Sequence, residues 1–145
     1  MDIEEAYKTL LKEIHDYMVL TQIEYLLDWD FETYMPPKGV KQRSEELAMI
    51  ATLEHDRLTD PKVGELIKAI KEDPNYSSLN QIKKREIELI ERKYNRESKI
   101  PKELVEEIAK HTPIAIDAWK KAKKASDYSL FKPALDKMIE LTKKK

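Results

Sequence analysis

The side chains whose types could carry chemistry are three histidines, His15, His55 and His111, and a run of acids, Asp28, Asp30 and Glu32. A helical zinc site needs two imidazoles one turn apart, as in His-Glu-x-x-His, and no histidine has a second one at that spacing. Glu107 and His111 share a helix face, but a metal there needs a third ligand from elsewhere in the fold. His15 and His55 each precede an aspartate, and adjacent residues do not face each other on a helix. Each reads as a solvated or locally bonded histidine rather than a general base. The chain has no cysteine, which removes thiol nucleophiles, thiolate metal sites and disulfides together. Gly39 and Gly64 stand apart, so no glycine-rich loop cradles a phosphate, and no serine sits in a nucleophile elbow.

The acids fall in the stretch "LLDWDFETYMPPKGVKQR", Leu26 to Arg43. Asp28, Asp30 and Glu32 could be paired carboxylates for acid–base work. The reading adopted is a corner between two helices. Trp29, Phe31 and Met35 are then expected to bury and pin it. Asp30 is expected to cap or bond backbone where the first helix ends, and Arg43 to pair with one of the acids.

The elements that must position these residues all read as helix. Ile3, Ala6, Tyr7, Leu10, Leu11, Ile14, Met18 and Tyr25 recur at three- and four-residue steps, an apolar stripe that fades near Asp28. Met35-Pro36-Pro37 cannot continue a helix, and Pro37 can open the next one. The second helix is expected over Lys38 to Leu58, with Val40, Leu47, Ile50, Ala51 and Leu58 inward. Thr59 or Asp60 caps a short third helix from Pro61, whose stripe is Val63, Leu66, Ile67 and Ile70. Asp73-Pro74-Asn75 ends it, and Ser77 or Ser78 caps a fourth helix running to about Glu97. Leu79, Ile82, Ile87, Leu89, Ile90 and Tyr94 give that helix a partial inner face, exposed on two sides. A fifth helix starts at Pro101 and is expected to kink at Pro113, which removes the bond to the carbonyl four residues back. After a break at Ser126 to Ser129, Asp127 or Ser129 caps a last helix from Leu130 through Leu141, with Leu135, Met138 and Ile139 apolar. No alternating β-branched run appears. The fold class is therefore all-α, about six helices in a bundle or hairpin array, with residues 1–145 as a single helical domain.

A chain of 145 residues can bury a real core. With 27 basic and 28 acidic residues the net charge is −1, so no charge excess points to nucleic acid or to a cationic partner. No segment approaches the ~20 apolar residues of a membrane span. The start "MDIEEAYK" lacks the apolar run of a signal peptide. Absence of cysteine fits a reducing compartment, and the cytoplasm is the expected location. High Lys and Glu with two glycines resembles thermophile usage.

Two long blocks carry a resemblance. The first is "LLDWDFETYMPPKGVKQRSEELAMIATLEHDRLTDPKVGELI", with Trp29, Asp30, Thr33, Met35, Pro36, Gly39, Arg43, Leu47, His55 and Thr59. The second is "IPKELVEEIAKHTPIAIDAWKKAKKASDYSLFKPALDKMIELTKK", with Trp119, Ala122, Asp127, Tyr128, Phe131, Pro133 and Leu135. In this order they resemble the N-terminal part of the thermostable, Taq-type metallocarboxypeptidases, over nearly the whole chain. The resemblance implies an almost wholly helical fold in which these helices form a wall or lid over a deep groove. It implies a relationship to enzymes that use zinc or cobalt to remove residues from peptide C-termini. Those enzymes are much longer, and their His-Glu-x-x-His, later glutamate, His-Pro-Phe and substrate-clamping arginine lie downstream of the part matched here. No metal ligand or general base carries over to any position of this chain. Asp56 departs from the family's usual glutamate, and Pro113 interrupts a helix usually free of proline.

On this reading Trp29, Asp30, Thr33, Met35, Pro36, Gly39, Arg43, His55, Trp119, Asp127 and Phe131 are signature residues with structural roles. No catalytic residue, cofactor or metal is expected in this chain. It is expected to be inactive alone as a carboxypeptidase. The alternative is a stand-alone helical module that binds a separate partner or itself. Helix faces that later helices would cover in a complete relative should be exposed, favouring a homodimer or the separately supplied catalytic region as partner.

Overall fold

A computed structural model describes residues 2–145 and shows six α-helices with no strand among the described residues. They are α1 (Ile3–Thr33), α2 (Val40–Leu58), α3 (Pro61–Glu72), α4 (Gln81–Glu97), α5 (Lys102–Ala125) and α6 (Lys132–Lys144). Short 3-10 turns, Pro37–Gly39, Tyr76–Ser78 and Tyr128–Leu130, precede α2, α4 and α6. The all-α expectation holds, and several boundaries move.

Helix α1 is 31 residues long, about 46 Å at 1.5 Å per residue. Asp2 caps it by accepting from the Glu5 backbone N–H at 2.8 Å, and Glu4 and Glu5 suit the positive end of the helix dipole. The helix runs on past the polar stretch near Asp28 to Thr33, where Tyr34 and Met35 both donate to the Asp30 carbonyl. Its buried seam is Ile3, Tyr7, Leu10, Ile14 and Tyr17, with Ala6 beside it. Leu11, Met18 and Tyr25, expected in the stripe, are exposed. The 3-4-3-4 register of the seam explains the correction: its continuation passes through Thr21, Glu24 and Asp28 before reaching Phe31.

The first half of α1 packs with Leu58, with Val63, Leu66, Ile67 and Ile70 of α3, and with Leu79 and Ile87 around α4. Leu10, Val63, Ile70 and Ile87 are fully enclosed, each contributing about 1.5–3 kcal/mol by leaving water. The second half of α1 packs on α2, α2 packs on α5, and α5 on α6. Ile100, Leu104 and Leu141 form a second buried cluster there.

Of the two candidate caps for α3, Asp60 is the one that serves, accepting from the Lys62 backbone N–H at 2.8 Å. The cap of α4 is Asn80, which accepts from the Lys83 backbone N–H at 2.9 Å, rather than Ser77 or Ser78, which lie in the preceding 3-10 turn. Ile82 and Leu89 of α4 are exposed, as expected of its second face. Helix α5 runs without a break through the buried Pro113. It ends at Ser126, the non-glycine residue with a left-handed backbone (φ 52°). There the Asp127 N–H reaches back to the Ala122 carbonyl at 2.9 Å. Asp127 caps the 3-10 turn, and α6 begins at Lys132, two residues later than expected. Leu141 is the buried residue of α6, while Ile139 is exposed.

Candidate functional site

The corner residues come first. Asp30 accepts from Arg43 Nη2 at 2.9 Å, while Arg43 Nη1 donates to the Leu27 carbonyl at 2.7 Å and Nε to Glu46 at 2.7 Å. The side chain that reaches the backbone of α1 is thus Arg43, not Asp30. Burial works against the Arg43 charge, but its bonds to Glu46 and Asp30 outweigh that and hold its pKa above the ordinary value. Trp29 does not bury: it is 55% exposed and stacks at a tilt on Tyr34, centroids 5.4 Å apart. Phe31 is buried and Met35 half-buried. Thr33 bonds the Trp29 carbonyl at 2.6 Å. The Gly39 N–H donates to the Pro36 carbonyl at 2.8 Å, and a Cβ at Gly39 would meet Met35 at 3.1 Å. In the second block, Lys123 lies over the ring of the exposed Trp119 at 5.0 Å. Asp127 accepts from Ser129, and Phe131 meets Tyr128 edge-on at 6.5 Å. Lys120 of the second block pairs with Glu32 at 2.8 Å and lies over the Phe31 ring at 5.0 Å, so the two groups meet through it.

The histidines hold helices together. His55 Nε2 donates to the Glu97 carbonyl at 3.1 Å, tying α2 to the end of α4. Its Nδ1 is then an acceptor, buried without a partner. His111 Nε2 meets the Ala134 carbonyl at 3.0 Å, joining α5 to α6, while Glu107 pairs with Lys137 at 2.6 Å. His15 is exposed. Among the described residues no three His, Asp or Glu side chains converge as a metal site requires.

A different group emerges where the seam of α1 turns polar. Glu24 faces Glu54 of α2, and both are half-buried. Burial and the nearby Glu24 charge push the Glu54 carboxyl up to about 7, against the pull of Lys93 and Thr21. Glu24 is raised by burial and by Asp28, and Asp28 by burial and by Glu32. One oxygen of Glu54, Oε1, is buried with no partner. Glu24 and Asp28 border a cleft of about 540 Å³ between α1, α2 and α5, while Glu54 lines a separate hollow with Thr21, His55 and Lys93. The apolar wall of the cleft includes Phe31, Leu47, Val105, Ile108 and Pro113. The chemistry within reach is retention of a proton near neutral pH by a carboxyl pair. Sequence reading missed Glu24 and Glu54. The available signal was that Thr21, Glu24 and Asp28 continue the three- and four-residue steps of the core.

Comparison with known proteins places these features in a family context. The profile of the carboxypeptidase Taq (M32) metallopeptidases matches residues 9–145. Thermostable carboxypeptidase 1 of Thermus thermophilus is 30% identical over 145 residues, covering 100% of this chain and 28% of that protein. Carboxypeptidase 1 of Bacillus subtilis is 31% identical over 141 residues, covering 97% of this chain and 27% of that one. The solved structure "BsuCP Crystal Structure" superposes with a TM-score of 0.87 at 28% identity, over 94% of this chain and 27% of that one. The chain therefore spans little more than a quarter of the relatives it matches, and corresponds to their N-terminal region.

Proposed function

The chain belongs to the carboxypeptidase Taq (M32) metallopeptidase family, and from that premise we propose that it serves as the N-terminal helical wall of a carboxypeptidase-like fold, without peptidase activity of its own. The observation that carries this reading is the match over 97–100% of the chain to only 27–28% of the curated relatives. The metal such an enzyme uses, zinc or cobalt on this reading, does not fit the residues present. His55 and His111 spend Nε2 on backbone carbonyls, Glu107 faces a lysine, and among the described residues no third ligand converges on either histidine. No catalytic step is therefore assigned to this chain. The test is release of C-terminal residues from peptides by the purified chain with added zinc or cobalt. No release is expected. Metal-dependent turnover that disappears in His111→Ala would overturn the reading.

The same reading puts the chain in the cytoplasm of a thermophilic cell. What supports it is the cysteine-free, Lys- and Glu-rich composition. No helix is long and apolar enough to cross a membrane among the described residues.

A second reading, a helical module that self-associates, has its own support. Met18, Tyr25, Leu26 and Trp29 lie exposed along neighbouring rows of α1, with Leu26 63% exposed. Such a patch favours association, and a two-fold dimer is the commonest outcome. Light scattering across concentration tests it: a dimer that Leu26→Ser dissociates is expected, and a monomer at high concentration would count against it.

A further inference from the structure

Helices α1, α2 and α4 border a hollow of about 250 Å³, lined in part by Thr21, Glu24, Glu54, His55, Lys93 and Arg96. Two acceptors of this group are buried without a partner, Glu54 Oε1 and His55 Nδ1. A buried acceptor left unpaired costs stability, so a donor that reaches it is favoured. The donors on the rim are engaged elsewhere, with one exception. Arg96 pairs with Glu97 at 2.9 Å. The Thr21 hydroxyl donates to the Tyr17 carbonyl at 3.1 Å. Lys93 forms no ion pair among the described residues; its Nζ lies over the Tyr17 ring, 4.7 Å from the centroid. An ammonium with three N–H donors on a flexible stem is a group that can serve both orphaned acceptors.

Tyr17 and Glu24 lie on one face of α1, about 10 Å apart along its axis. Lys93 therefore has two places to rest along a single row of that helix. A ring face attracts an exposed ammonium weakly, whereas carboxylates attract it in proportion to the charge they carry. The choice depends on the Glu24–Glu54 pair. With a proton between them the pair carries one negative charge, and without it two. Burial and the neighbouring carboxylate raise Glu54 to about 7, so the proton is held until near neutral pH. The other charged or titratable groups around the hollow are Tyr25 and Asp28 on α1, His55 on α2, and Arg96 and Glu97 on α4; α5 contributes the apolar Val105. Glu32 and Lys145 stand at the neighbouring cleft. Asp28 adds to the repulsion on Glu24, and Arg96 and Glu97 offset each other. Lys93 is left as the cation that answers the second charge.

We propose that Lys93 is a proton-operated latch: it rests on the Tyr17 ring while Glu24 and Glu54 share a proton, and it moves into the hollow, onto the two carboxylates and His55 Nδ1, when that proton passes to solvent. The move adds a tie from α4 to the α1–α2 pair, beside the bond from His55 to the Glu97 carbonyl. The junction of three helices is thus held differently on the two sides of neutral pH. The device uses residues of this chain alone and is independent of its family role.

The test is nuclear magnetic resonance on the 145-residue chain. The Lys93 side-chain protons, the Glu54 carboxyl carbon and the His55 ring are followed from about pH 5 to about pH 9, a range that spans the carboxyl pair and imidazole. Protons held over the Tyr17 ring are shielded. The latch predicts that this shielding is lost as pH rises, with the midpoint of the Glu54 carboxyl carbon. Lys93→Met assigns the signal and should raise the Glu54 midpoint by about one pH unit or more. Glu54→Gln and, in a second variant, Glu24→Gln should each abolish the Lys93 step and leave the ammonium on the ring across the range. Shielding that persists in the parent from end to end overturns the proposal. So does a Lys93 step that survives both glutamine variants or follows the His55 ring instead. A Glu54 midpoint that Lys93→Met leaves in place overturns it as well.

Discussion

Arg43 on α2 and Asp30 on α1 are bonded at 2.9 Å, and the same guanidinium reaches the Leu27 carbonyl at 2.7 Å. One side chain thus clamps both a carboxylate and the backbone near the C-terminal end of α1. That end has no basic residue of its own in its last turn, so α2 supplies the positive charge its dipole favours. A lysine keeps the charge but not the fork that serves both acceptors. Arg43→Lys should destabilise the chain by about 1–3 kcal/mol in urea unfolding, and Asp30→Asn by less. A double-mutant cycle between the two should show positive coupling. Strict additivity would mean that the corner is held by packing alone.

Gly64 decides how α3 meets α4. A Cβ there would lie 2.5 Å from the Tyr94 hydroxyl and 2.7 Å from its Cζ, closer than real atoms approach. Alanine gains about 0.8–1 kcal/mol of intrinsic helix preference over glycine. Forcing the ring away costs about 1–3 kcal/mol. Gly64→Ala should therefore be destabilising on balance, despite lying inside a helix. Adding Tyr94→Leu should recover part of the loss. If Gly64→Ala raises the melting temperature, the ring moves aside freely and the close approach has no structural importance.

How legible the molecule is from its sequence differs between its parts. The helices are legible because apolar residues repeat at helical steps and Asp60, Asp127 and the prolines punctuate them. The inner face of α1 is not, because Leu11, Met18 and Tyr25 also satisfy a three- or four-residue step. Periodicity cannot choose between two adjacent apolar rows when only one has a neighbour in the fold. Trp29 misleads for a related reason: a large aromatic is expected inside, and here it lies over Tyr34 on the surface. The pairing of Glu24 with Glu54 joins two helices 30 positions apart in sequence. It depends on the angle at the Met35–Gly39 turn, which local pattern does not encode.

The Glu24–Glu54 pair should make stability pH-dependent in a definite direction. Glu54 is held at about 7 when folded, above its ordinary value of 4.5, so the folded chain binds more protons than the unfolded one over that range. Its favourable contribution is complete below about 4.5 and disappears as pH rises through 7. Glu54→Gln should therefore be more stable than the parent at pH 8. The advantage should be about 1–2 kcal/mol, discounted for solvent around a half-buried pair, and should vanish near pH 4.5. Paired thermal melts across this range measure it. Equal differences at both ends would show that Glu54 titrates as an ordinary surface carboxylate.

Leu10 and Leu141 are both fully buried, but in different clusters. Leu10 joins α1 to α3 and α4, whereas Leu141 closes α6 onto Ile100 and Leu104 at the start of α5. Truncating either to alanine leaves a cavity worth about 2–5 kcal/mol. The consequences should differ in extent. The α1 seam is shared by three helices, so Leu10→Ala should lower the whole unfolding transition and speed hydrogen exchange throughout α1, α3 and α4. Helix α6 contacts α5 and the turn before it, and its removal uncovers only the second cluster. Leu141→Ala should accelerate exchange in α6 and the start of α5 while α3 and α4 keep their protection. Uniform loss of protection in Leu141→Ala would mean that the α2–α5 interface transmits the defect, and that the two clusters open together as one cooperative unit.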